Sequence, residues 1–71
     1  MIIDGKVETA RKVVNKSGDE YWRITSKGRT FITYNLELGE GIEVGMFGRF
    51  TYAMMASKEP NLYLLSDFKK E

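Results

Sequence analysis

The run Glu20–Asn35, EYWRITSKGRTFITYN, constrains the fold of this chain more than any other stretch. Two segments rich in β-branched and aromatic residues, Tyr21–Thr25 and Arg29–Tyr34, flank the polar connection Ser26-Lys27-Gly28. That is the sequence form of a β-hairpin whose loop carries a glycine. The loop decides which side chains share a face. With Ser26 and Lys27 in a type I turn and Gly28 in the left-handed region, Thr25 falls opposite Arg29. Trp22, Ile24, Thr30, Ile32 and Tyr34 then lie on one side, and Tyr21, Arg23, Thr25, Arg29, Phe31 and Thr33 on the other. A two-residue Lys27-Gly28 turn shifts the pairing by one and puts Phe31 beside Trp22 and Ile24. The three-residue loop separates charge from apolar groups better and is the expected register. It leaves Tyr21 and Phe31 pointing outward among Arg23 and Arg29.

The 71 residues make one small domain, residues 1–71, of a size that buries only ~60% of its unfolded surface. There is no cysteine, so neither a disulfide nor a thiolate metal site is available as a staple. Stability has to come from an apolar core, for which 42% hydrophobic residues and nine aromatics suffice. No run approaches the ~18 apolar residues of a membrane span, and MIIDGK is not a signal core, so a cytoplasmic protein with no membrane partner is expected. The net charge of +1 favours no partner class, but residues 1–35 hold seven Lys/Arg against four Asp/Glu, making the hairpin half the basic half.

Taken in order, Ile2–Val14 reads as a long first strand without clean alternation, the pattern of a strand that bends and serves two sheets. Residues 15–19 form a turn by composition. Leu36–Gly45, with three glycines and three glutamates, has room for one helical turn or a loop. In Met46–Met55 the set Met46, Gly48, Phe50, Tyr52 and Met54 reads as core-facing, with Gly48 at a bulge or close approach. Leu62–Phe68 is the last strand. The expected core is Trp22, Ile24, Ile32, Phe50, Tyr52, Leu62 and Leu64.

Five strands with no helix long enough to cover a sheet are expected to close on themselves. The expected fold is therefore all-β: a small five-stranded antiparallel Greek-key barrel with a short crossover between strands three and four. The order of a long bent strand, a hairpin, an irregular crossover and two further strands resembles the OB-fold. That resemblance implies a binding surface on strands two and three, here Tyr21–Thr25 and Arg29–Thr33, flanked by the loops 15–19 and 56–61.

A local resemblance points the same way. Lys27-Gly28-Arg29-Thr30-Phe31-Ile32-Thr33 is similar to the first nucleic-acid-binding motif of cold-shock domains, Lys-Gly-Phe-Gly-Phe-Ile-Thr, and Trp22 falls five residues before the Lys, where that family carries a tryptophan. Arg29 and Thr30 depart from the motif. The resemblance implies base-stacking roles for Trp22 and Phe31 on single-stranded nucleic acid, and in doing so it turns Trp22 outward.

With neither His nor Cys, the usual general base, thiol nucleophile and zinc ligands are missing. Gly39–Gly45 is glycine-rich, but its spacing is not that of a phosphate-binding loop and its glutamates would repel phosphate. No enzyme, metal or cofactor is expected. Single-strand binding needs aromatic faces for bases and cations for phosphates. The set Tyr21, Trp22, Arg23, Lys27, Arg29 and Phe31 supplies both, so the expected partner is single-stranded DNA or RNA. The competing expectation is a protein-interaction module, a small subunit docking through the same Tyr/Arg/Phe face, since those residue types carry interface energy.

Overall fold

The computed structural model describes all 71 residues. Six strands, β1 (Ile2–Lys6), β2 (Thr9–Val14), β3 (Glu20–Ser26), β4 (Arg29–Thr33), β5 (Phe47–Met54) and β6 (Leu62–Lys70), form one sheet, with a short helix α1 (Leu36–Glu40) between β4 and β5. The spatial order is β1-β5-β6-β4-β3-β2. Every neighbouring pair is antiparallel except β4 and β6, which run parallel with Ile32 beside Leu64.

This corrects the expected closed antiparallel barrel of five strands. The sheet is mixed, has six strands and is open, because β1 and β2 form its two edges and do not pair with each other. The cause lies at Val7 and Glu8. Val7 is fully buried, its N–H donates to Met46 O at 2.8 Å, and the Glu8 N–H donates to Thr25 O at 2.9 Å. Consecutive residues thus bond to opposite sides of the molecule, which splits the expected long strand in two and sends the halves to opposite edges.

That link also bends the sheet. Laid flat, six strands span about 24 Å at ~4.8 Å per spacing. Lys6 and Thr9 are three steps apart in the chain, about 10 Å at full extension. The sheet has to curl until its edges nearly meet, enclosing its inner face without completing a hydrogen-bonded ring. Val7, Ile24, Phe31, Ile42, Phe50, Tyr52 and Leu65 form the core. Phe31 stacks on Phe50 with centroids 4.8 Å apart and planes within 8°, and meets Tyr52 edge-on at 5.1 Å.

The hairpin register corrects a second expectation. Ile24 pairs with Phe31, Thr25 with Thr30 and Ser26 with Arg29, so the loop is the two-residue Lys27-Gly28 turn. Both residues have positive φ, 51° and 74°, as a type I′ turn requires. Lysine is an unusual occupant of that position. Its N–H donates to Glu8 Oε2 at 2.7 Å, a bond across the sheet that helps hold the turn.

The one-residue shift exchanges the faces of β4 alone: Phe31 and Thr33 join Trp22 and Ile24 inside. Ile32 and Tyr34 lie on the other side, where Ile32 is nonetheless buried as expected, at 4% exposure, and Tyr34 is exposed. In β6 the core-facing residues are Tyr63, Leu65 and Phe68, not Leu62 and Leu64, because a bulge opposite Thr51/Tyr52 changes the phase at Ser66. Leu64 is 38% exposed.

Helix α1 is only five residues long, yet it packs. Asn35 caps it, accepting from the Leu38 N–H at 3.2 Å, and Glu37 puts a carboxylate in its first turn. Gly39 lies so close to Trp22 that a Cβ there would overlap Cγ and Cδ1 of the indole. Gly48 is a close-approach point as expected, for a Cβ there would strike Lys69 O and the Phe68 ring.

Candidate functional site

No ligand-sized pocket is found on the molecule, nor a grouping of three or more acidic side chains able to hold a metal ion. Its chemistry is that of a surface. The six residues singled out in the sequence occupy three different places.

Phe31 is 0% exposed and stacked on Phe50, so it has no face to offer a base. The stacking role implied for it is corrected by the register. Trp22 also points inward, half-buried beneath α1, with its indole N–H enclosed and without an acceptor. The packed helix rules out the outward orientation that the cold-shock resemblance implied for Trp22. Lys27 and Arg29 sit at the hairpin tip. Lys27 lies over Gly5, and its charge acts on Asp4. Tyr21 is at the far end of β3, about 20 Å away at ~3.3 Å per residue. These two cations therefore do not belong to one site with the tyrosine.

Tyr21 and Arg23 remain, on the outward face of β3, and the structure adds neighbours there. Tyr34, 54% exposed, lies across from Tyr21 with ring centroids 5.5 Å apart and planes tilted by 49°. Arg11 on β2 is directly opposite Arg23, in a row that continues through Ile32 on β4 and Leu64 on β6. A second row runs Thr9–Thr25–Thr30, with the Thr9 and Thr25 hydroxyls 2.6 Å apart. The arginine row is two residues from the tyrosine row, about 7 Å along the strand.

The electrostatics of this face are uneven. Arg23 donates from Nη2 to both carboxylate oxygens of Glu59, at 2.9 and 2.8 Å. Arg11 has no carboxylate within ion-pair distance, since the other two pairs are Lys12–Glu20 and Arg49–Asp4. Like charges directly opposite each other on a sheet are destabilising, so the Arg11–Arg23 pair leaves an unmet demand for negative charge.

Sequence reasoning missed Tyr34, assigned to the core by the wrong register, and Glu59, whose loop gave no sign of reaching β3. Arg11 belongs to the basic first half of the chain, but its place opposite Arg23 follows only from the β2–β3 pairing. A scan against protein-family models, a search of curated proteins and a search of solved structures return no match, which leaves the chemistry of this outward face as the ground for a functional proposal.

Proposed function

We propose that the outward face of β2, β3 and β4 binds single-stranded nucleic acid without catalysis. Tyr21 and Tyr34 present aromatic faces to bases, and Arg11 and Arg23 receive backbone phosphate. The observation that carries this reading is the directly opposed Arg11–Arg23 pair one row from the Tyr21–Tyr34 pair. Stacking groups stand there beside Arg11, which has no carboxylate partner, and Arg23, whose partner Glu59 is part-exposed, and single-strand binding requires stacking and cationic groups together.

The test is fluorescence anisotropy of labelled short oligo-dT and oligo-U at low and at physiological salt. Trp22 is a poor reporter because it lies under α1. Binding should weaken steeply between about 50 and 200 mM salt through counterion release. Tyr34→Ala and Tyr21→Ala should each cost ~1–3 kcal/mol per stacked base. Arg11→Ala should lower the salt slope by about one phosphate-equivalent. A wild type that ignores both oligonucleotides at tens of micromolar and low salt overturns the reading.

A second reading, a protein-docking face, is favoured by Leu64, 38% exposed, at the end of the arginine row beyond the buried Ile32. Tyr, Arg and aliphatic groups together suit an interface hot spot, and such docking responds little to salt.

A further inference from the structure

The structure assigns Arg11 and Arg23 as an oxyanion subsite that Glu59 occupies when no ligand is bound. This inference rests on the outward face being the ligand face, and it adds what competes for that face. Glu59 belongs to the loop 55–61, outside the sheet. Beyond the anchor from the Thr30 N–H to Asn61 O, the bonds that hold this loop on the sheet are those from Arg23 to Glu59. A carboxylate and a phosphodiester both offer a pair of charged oxygens to a guanidinium, so Glu59 fills the position a ligand phosphate would take. Its hold is weak, because water screens an ion pair whose side chains are 26% and 44% exposed. The geometry is also half-used: one carboxylate serves Arg23 while Arg11, directly opposite, stays unpaired. A phosphate group entering between the two arginines meets both, relieves their repulsion and releases the loop.

The experiment measures binding of oligo-dT and, separately, of inorganic pyrophosphate to the wild type and to Glu59→Gln. A second pair carries Arg23→Ala in both backgrounds. Glu40→Gln, at the exposed end of α1, controls for net charge. Circular dichroism checks that each variant is folded. Glu59→Gln should tighten both probes about tenfold, equivalent to ~1.4 kcal/mol. The gain should vanish in the Arg23→Ala background and be absent in Glu40→Gln. If the wild type binds oligo-dT and Glu59→Gln binds it no better, the subsite is overturned while nucleic-acid binding stands. If pyrophosphate tightens through Arg23 but no protein binds oligo-dT, the subsite stands and the nucleic-acid reading falls. A gain equal to that of Glu40→Gln, or one that survives Arg23→Ala, reduces the effect to bulk charge and overturns the subsite. If neither probe binds any variant, both readings fall.

Discussion

The two faces of the β3–β4 hairpin carry similar residue types and do opposite work. Inward, Phe31 and Ile24 are sealed, and Phe31 lies between Phe50 and Tyr52 at ring-contact distances. Outward, Tyr21 and Tyr34 tilt against each other over a row of arginines and meet water. An aromatic on this hairpin is core or surface according to its parity alone. The difference teaches that the location of an aromatic–arginine cluster in a sequence is only as good as the register assumed for it.

The strongest way to break the comparison is Phe31→Ala. Truncating a fully buried phenylalanine costs about 3–5 kcal/mol, against a total stability of ~5–15 kcal/mol for a small domain. Urea unfolding should show the protein mostly or wholly destabilised. A loss under about 0.5 kcal/mol, the range of an ordinary surface change, would place Phe31 outside. The tyrosine substitutions described above should stay within that surface range for stability while affecting binding, and the two outcomes together define the faces.

Gly39→Ala sharpens the inward side. A Cβ at this position overlaps the Trp22 ring, so α1 has to shift, at a cost of about 1–3 kcal/mol. The check is a thermal melt accompanied by a change in Trp22 emission. An unchanged melt and spectrum would show that α1 does not press on Trp22.

The smallest effect is on the outward side, in the pH dependence of stability. On β1 and β5, Arg49 donates from Nε to Asp4 Oδ1 at 2.9 Å. This hydrogen bond, more than the charges of Arg49 and Lys27, holds the Asp4 carboxyl below its ordinary value. A carboxyl depressed on folding adds stability that is present above its unfolded value, near 4, and is lost as pH falls through the lower folded value. Wild type should therefore lose stability in that acid window with a component that Asp4→Asn lacks. Parallel acid titrations of the two proteins would refute the contribution. The pair is about half exposed and screened by water, so the difference should be slight.

Much of the fold is legible before any coordinates. The hairpin, the strands near residues 47–54 and 62–68, the short crossover and the inward placement of Gly48, Phe50 and Tyr52 follow from alternation and glycine placement, whereas Met54, expected in the same set, is 78% exposed beyond the end of the core. Beyond the closed barrel, which the break at Val7 and Glu8 overturns, two misreadings are off by one residue. Ser66, the extra residue of the β6 bulge, exchanges Leu64 for Leu65. The Lys27-Gly28 turn exchanges Ile32 for Phe31 at the inner face. A strand has period two, so a single inserted residue inverts everything beyond it. Nothing in the local sequence of a bulge announces it. Of the candidate site, Tyr21 and Arg23 were readable as an outward pair. Tyr34 and Glu59 were not, because one depends on the register and the other on a contact across 36 residues.

The residues by themselves determined that this chain makes strands, where it turns, and that a basic hairpin stands at its centre, since these depend on neighbours within a few positions. Tertiary structure decided the rest. Both hairpin registers satisfy the local rules, and the choice between them fell to a long-range event. Phe31 gains Phe50, Tyr52 and Tyr63 as neighbours, and Glu8 supplies the bond that supports a lysine at positive φ. The openness of the sheet was likewise settled at Val7 and Glu8, whose partners Met46 and Thr25 lie far along the chain. Burial of a large ring outweighs a tidy separation of charge on one hairpin, and that balance exists only once the other strands are in place.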